Sequence, residues 1–189
     1  WSSDVCSSDL TSLVTVLYRI AFQNVQRVFF ENEENAREFR ERKILSADRQ
    51  VVLSGAGINL ERYQMAPYPN HKRMHFLYLG RIMKEKGMDE LFYTVRRLKK
   101  ENEDFILDLV GFFEEEYKDQ VEELENSGIA HFYGFQSDPR MFYIEADCVV
   151  LPSYHEGMSN VLLEAAATGR PVITSNIPGC RESVEDRKS

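Results

Sequence analysis

The sequence predicts an α/β fold: a doubly wound, Rossmann-like parallel sheet preceded by the tail of a second α/β domain. Three observations predict it. From residue 74 onward short apolar runs alternate with helical stripes, the pattern of a parallel sheet whose strands are covered on both faces. Ahead of that region, residues 63–73 carry Pro67, Pro69 and Asn70, which read as a connection between two units. With 189 residues, 43% of them hydrophobic, the chain can bury one good core and part of a second.

Residues 1–10, WSSDVCSSDL, repeat Ser-Ser-Asp without any structural period and are expected to be disordered or a non-native leader. From Thr11 to about Gln26, Leu13, Leu17, Ile20 and Val25 recur near helical spacing, widened by Val14, Ala21 and Phe22. Val28 to Phe30 reads as a short buried strand. Glu33 to Lys43 reads as a charged, solvated helix anchored by Phe39 and Ile44, and Gln50 to Leu53 as a further strand. Residues 11–66 are thus assigned to the tail of the first domain, 67–73 to the linker and 74–185 to the second domain, with 186–189 read as non-native.

The second domain opens with a strand over Met74 to Leu79. A helix stripe of Met88, Leu91, Phe92, Val95 and Leu98 follows, then a strand over Phe105 to Val110. Tyr117, Val121 and Leu124 line the next helix, which Ser127-Gly128 stops; Ile129 to Tyr133 is the third strand. Asp138-Pro139 marks a helix start with proline at the first helical position. Cys148 to Leu151 and Pro171 to Thr174 complete the set. Right-handed crossovers make the strand order 3-2-1-4-5, which places the switch point, where ligands bind in such sheets, between the first and fourth strands.

Composition narrows the function. The net charge is −8, so nonspecific attraction to a nucleic-acid backbone is disfavoured and no nucleic-acid partner is expected. Cys6, Cys148 and Cys180 are too scattered for a disulfide framework or a metal cluster, which fits a reducing, cytoplasmic setting. No run approaches the ~20 apolar residues that span a bilayer.

Two loops meet at the predicted switch point. The first, Gly80-Arg81-Ile82-Met83-Lys84-Glu85-Lys86-Gly87, carries three basic residues against one acid. Arg81 offers a planar donor fork and Lys86 a point charge, both suited to phosphate oxygens, although either side chain can equally be an exposed residue of a helix start. The second, His155 to Asn160, opens a helix whose first-turn N–H groups at Gly157, Met158, Ser159 and Asn160 can receive an anion. Glu156 and Glu164 flank that turn. As acceptor-only groups they suit the hydroxyls of a ligand that also carries phosphate, which describes a sugar nucleotide.

These residues carry a resemblance. Glu156, seven residues and Glu164, between Leu151-Pro152-Ser153 and Gly169-Arg170-Pro171-Val172-Ile173, resemble the E-x7-E signature of retaining GT-B glycosyltransferases, family 4 in particular. Gly80-Arg81 to Lys86-Gly87 is similar to the family's G-R-x5-K-G segment, here with four residues between Arg81 and Lys86. Gly55-Ala56-Gly57-Ile58-Asn59 resembles the hinge entering its nucleotide domain, although a turn needing positive φ would use the same glycines. The resemblance implies that Glu156, the catalytic candidate, lies against the donor sugar and that Glu164 binds the ribose. It also implies that Gly57, Arg81, Lys86 and the Gly157–Asn160 turn hold the diphosphate, and that Gly111, Phe112, Gly134 and Phe135 pack around the base. Core packing would explain the two phenylalanines as well.

It further implies transfer of a hexose or N-acetylhexosamine from a nucleoside-diphosphate sugar, UDP-linked, with retention and without a metal or other cofactor. The acceptor would be a glycan or a polyprenyl-linked saccharide of surface polysaccharide synthesis, with peripheral membrane association through a first domain of which only the tail is present. A GT-B sugar-nucleotide epimerase, or nucleotide binding without catalysis, are the alternatives. His131, within a strand, is expected to be structural.

Overall fold

The structure is a computed structural model and describes residues 3–183 other than Ser54, Ala56 and Asn102, with the side chains of residues 3–9 left aside. The expectations for Trp1, Ser2 and the segment 186–189 lie outside the described residues. The chain divides into two compact units, Trp1–Ala56 and Gly57–Ser189.

In the first unit, helix α1 spans Ser3–Ala21, strand β1 Val28–Phe30, helix α2 Glu33–Glu41 and strand β2 Gln50–Val52. The leader read as disordered therefore joins α1 from Ser3 onward; serine and aspartate weaken a helix interior but are favourable near its N-terminus. The strands pair in parallel, Val28 with Gln50 through Phe30 with Val52. Phe30, Ala36 and Leu45 form a small core with Phe22, Val28 and Phe39 against it. Asn32 caps α2 by accepting the Asn35 amide at 2.8 Å. The expected stripe of α1 is only partly used, since Leu13, Leu17 and Ile20 are exposed among the described residues. Helical periodicity predicted the helix correctly, but a pair of three-residue strands is too narrow to cover its apolar face.

The second unit is the doubly wound sheet. Its elements are β3 (Met74–Ile82), α3 (Met88–Lys100), β4 (Phe105–Phe113), α4 (Lys118–Asn126), β5 (Ala130–Phe132), α5 (Arg140–Glu145), β6 (Cys148–Leu151), α6 (Asn160–Ala167) and β7 (Val172–Thr174). All pairings are parallel and the order is β5-β4-β3-β6-β7, the predicted 3-2-1-4-5. Alternate residues of β3 serve opposite faces. Tyr78 joins the core formed by Met88, Leu91, Phe92 and Val95 of α3 with Val121 and Leu124 of α4, whereas Leu77 joins Tyr143 of α5 and Ala165 of α6.

Two boundaries differ from the sequence reading. Strands β3 and β4 run on through Ile82 and Phe113, because Gly80, Arg81 and Ile82 pair with Gly111, Phe112 and Phe113. Gly80 and Gly111 permit this pairing, since a Cβ on Gly111 would stand 1.8 Å from the Gly80 carbonyl oxygen. Hence Gly80-Arg81 and Gly111-Phe112 are strand residues and not loop residues.

The second difference concerns residues 67–73. Prolines and polar residues suggested a linker, yet the segment is fastened to the second unit, whose boundary falls after Ala56. Tyr68 Oη donates to the Asp147 carbonyl at 2.6 Å, and His71 Nε2 lies 2.9 Å from the Glu145 carbonyl. Arg170, buried just beyond α6, donates to the carbonyls of Pro67 at 2.7 Å, Tyr143 at 2.8 Å and Ile144 at 3.1 Å. One guanidinium thus ties the segment to the C-terminal end of α5, and it also lies 5.4 Å from the Tyr68 ring centre. Arg170→Met is expected to remove these three hydrogen bonds and to cost about 3–4.5 kcal/mol, at ~1 to 1.5 kcal/mol per lost hydrogen bond. Urea denaturation would measure it, and faster amide exchange around residues 66–68 should accompany it.

Candidate active site at the sheet switch point

Strands β3 and β6 are neighbours, with Phe76 opposite Cys148 and Leu77 opposite Val149, so the loops leaving their C-terminal ends lie side by side. After β3, Lys84–Lys86 forms a single 3-10 turn, and Gly87 then adopts φ 74° to start α3. A Cβ on Gly87 would come within 2.2 Å of the Pro152 carbonyl oxygen, so glycine here allows contact between the two loops. The Tyr154 amide donates to the Glu85 carbonyl at 2.9 Å, and the Tyr154 hydroxyl donates to Glu90.

The two loops are joined by charge. Lys86 Nζ lies 2.7 Å from Glu156 Oε1, and the side chains are only 16% and 14% exposed. Opposite charges held this far from water attract strongly and are costly to separate. Beneath them the buried Tyr78 hydroxyl donates to the Arg81 carbonyl at 2.6 Å, and burial, with the negative charge of Glu156 next, raises its pKa well above the usual phenol range. The phenol therefore stays protonated and acts as a donor.

Arg81 points elsewhere: its Nη1 lies 2.7 Å from Glu114 Oε2 beyond the end of β4. The structure brings Lys86, but not Arg81, against Glu156. Both cations are held by carboxylates that an incoming anion would have to displace.

The start of α6 is capped by Ser159, whose Oγ accepts the Leu162 amide at 3.4 Å. The Ser159 amide itself donates to the Gly179 carbonyl at 3.0 Å. This corrects one expectation, because that N–H is taken by the loop after β7, which packs closely enough that a Cβ on Gly179 would lie 2.4 Å from the Gly157 oxygen. Since the helix begins at Asn160, the amides without an intrahelical acceptor are those of Asn160 and Val161. Sequence reading named Asn160 but missed Val161, one position further on. Met158 Sδ accepts from the Ser183 hydroxyl at 3.1 Å.

Glu164 lies one turn beyond Asn160 on the same face of α6. Its Oε2 accepts from the Tyr143 hydroxyl at 2.8 Å, and the Tyr63 ring lies edge-on against that of Tyr143, 6.0 Å between ring centres. Burial, then the Glu164 charge, pushes the Tyr63 pKa to about 12 and that of Tyr143 higher still. Neither tyrosine was picked out from the sequence as a site residue; Tyr63 lay in the supposed linker, and Tyr143 is hidden among apolar neighbours.

The four residues named for the base gather at the C-terminal ends of β4 and β5. The Gly111 amide donates to the Gly134 carbonyl at 2.9 Å, and the Phe112 and Phe135 rings stand edge to face, 6.4 Å apart. Both rings are well exposed, at 47% and 68%, which core packing does not explain. Gly57 stands at the start of the second unit with φ 75° and open space where a Cβ would lie. His131 is exposed on β5, its ring 4.4 Å from that of Tyr133. Among the described residues no helix is long and apolar enough to cross a membrane.

The sequence profile of the glycosyl transferases group 1 family matches residues 62–189, two thirds of the chain and all of the site just described except Gly57. The chain belongs to the glycosyl transferases group 1 family. A relative from Campylobacter jejuni, an N,N'-diacetylbacillosaminyl-diphospho-undecaprenol α-1,3-N-acetylgalactosaminyltransferase, is 30% identical over 92% of this chain and 48% of its own length. The capsular polysaccharide biosynthesis glycosyltransferase CapM of Staphylococcus aureus is 31% identical over 69% of this chain and 37% of its own. The chain thus spans half the length of these relatives or less. Among solved structures, Anabaena HepE in complex with UDP and glucose superposes with a TM-score of 0.72, covering 90% of this chain and 51% of that one at 20% identity. Sucrose-phosphate synthase from Thermosynechococcus elongatus gives 0.73 over 96% and 48%, at 21% identity. At such identities the likeness speaks for the fold, which is that of a GT-B glycosyltransferase.

Proposed function

We propose that the group 1 member to which this chain belongs transfers a hexose or N-acetylhexosamine from a nucleoside-diphosphate sugar, UDP-linked, to a glycan or polyprenyl-linked acceptor. In this reading transfer proceeds with retention, without a metal, and on the cytoplasmic side of surface polysaccharide synthesis. The observation that carries the proposal is the meeting of Lys86, Glu156 and the α6 N-terminus at the β3/β6 switch point. The activities of the Campylobacter and Staphylococcus relatives, and the UDP bound by HepE, support the class of donor and acceptor.

The chemistry follows from the charges. A sugar leaves its nucleotide as negative charge grows on the diphosphate, so preorganised positive groups beside the departing oxygen lower the barrier. Lys86 serves this end once the diphosphate replaces Glu156 as its partner, together with the Asn160 and Val161 amides and with Arg81 after release from Glu114. Glu156, freed by the same exchange, accepts hydrogen bonds from the donor sugar and fixes its anomeric carbon. Glu164 accepts the ribose hydroxyls, and Phe112 and Phe135 border the base, where aromatic stacking contributes ~1–3 kcal/mol. Gly57 approaches the phosphates.

By itself, a chain of this span is expected to bind the nucleotide rather than complete the transfer. Calorimetric titration with UDP tests this directly. Micromolar or tighter binding is expected, with Glu164→Ala weakening it about tenfold to a hundredfold through loss of hydrogen bonds to a charged acceptor. UDP binding no tighter than that of inorganic pyrophosphate would count against the assignment.

A further inference from the structure

Glu164 has three rotatable side-chain bonds, yet its carboxylate is held: the Tyr143 hydroxyl, projecting from α5, donates to its Oε2 at 2.8 Å. The Tyr143 ring is fully buried among Leu77, Val110, Val149 and Ala165, so its hydroxyl has no alternative position. Tyr63 lies edge-on against it, 6.0 Å between ring centres at 81°. Arg170 secures the backbone from which Tyr143 projects by donating to the Tyr143 and Ile144 carbonyls.

We infer that Tyr143 is a positioning residue that aims Glu164 at the ribose and makes the site select ribonucleotides over deoxyribonucleotides. The inference rests on the ribose role proposed for Glu164.

The argument is one of valence and geometry. An ionised carboxylate offers about four acceptor positions. The Tyr143 phenol, contributing its one O–H, occupies one of them, and those that remain are enough for the 2′- and 3′-hydroxyls of one ribose. A sugar lacking those hydroxyls would leave these positions of the aimed carboxylate unfilled, and sites built to bond a hydroxyl reject analogues without it far more strongly than apolar sites reject a missing methylene. Without the phenol the carboxylate is free to rotate, and the entropy of fixing it falls on the ligand.

The test compares calorimetric titration with UDP and with 2′,3′-dideoxy-UDP in the wild-type chain and in Tyr143→Phe, with Tm recorded for each. The wild type is expected to prefer UDP by about a hundredfold or more, the range for two hydrogen bonds to a charged group. Tyr143→Phe should weaken UDP about threefold to tenfold while leaving dideoxy-UDP unchanged, so that the preference shrinks by the same factor. A tyrosine that only braces α5 against α6 would weaken both ligands equally or neither, and either result overturns the inference. If Tyr143→Phe lowers the Tm, the titrations are run well below it, where the variant is folded and the same results support or overturn the inference. A wild type that binds UDP well but shows no preference removes the ribose role of Glu164 and this inference with it. One that shows the preference while Tyr143→Phe retains it in full overturns the inference alone.

Discussion

Lys86→Ala is expected to abolish most of the nucleotide affinity and to destabilise the second unit together. The substitution leaves Glu156 buried and without its cation. Breaking a fully buried pair costs ~3–5 kcal/mol, and with a seventh of each side chain still reached by water about 2–3 kcal/mol is the fitting figure. That corresponds to a fall in Tm on the order of 5–10 °C. Affinity for UDP should drop about tenfold to a hundredfold, as for a lost charge-assisted contact. The double substitution Lys86→Met with Glu156→Leu separates the two effects. An apolar pair of similar volume should regain the stability, since it carries no desolvation penalty, but not the affinity. If Lys86→Ala kept both Tm and UDP binding, the pair would be an incidental contact and the diphosphate site would lie elsewhere.

The second large effect is structural and lies just below the site. Gly111→Ala would set a Cβ 1.8 Å from the Gly80 carbonyl oxygen, at a residue whose φ is 153°. Backbone strain of ~1–3 kcal/mol and overpacking of ~1–3 kcal/mol combine to about 2–6 kcal/mol, because the clash is with main chain that cannot rotate away. The urea midpoint should fall accordingly, and β3 should separate from β4 beyond Leu79, moving Arg81 and the loop that carries Lys86. Gly128→Ala is the control: φ is 67° there but nothing lies within 4 Å of an added Cβ, so ~1–2 kcal/mol of strain is all that is expected. Equal losses in the two variants would show that conformation, and not close approach, is what these glycines supply.

Much of this site was legible in the sequence. The apolar runs of β3 to β7 and the stripe of α3 have the periods of strand and helix, and right-handed crossovers leave few orders for five parallel strands. From that order alone the loops after β3 and β6 had to be neighbours, which is why Lys86 and Glu156 could be named from positions seventy residues apart. Phe112 and Phe135 sit at adjacent strand ends, but they were named for the base through the family resemblance and not through strand order. Composition failed where covalent neighbours say little. Pro67, Pro69 and Asn70 look like any linker, and it is contacts with residues far along the chain that fasten that segment down: Arg170 to the Pro67 carbonyl, Tyr68 to the Asp147 carbonyl and His71 to the Glu145 carbonyl.

What the sequence by itself determined is the architecture and the identity of the groups that meet at the switch point, because hydrophobic period and chirality act locally and their consequences add up along the chain. What only the tertiary structure decided is the partner of each group: Arg81 bound to Glu114, the Ser159 amide given to Gly179, and Glu164 held by Tyr143. A hydrogen bond depends on angstrom-scale placement of atoms from separate elements, and that placement is set by the packing of the whole core and not by the order of residues in any one stretch.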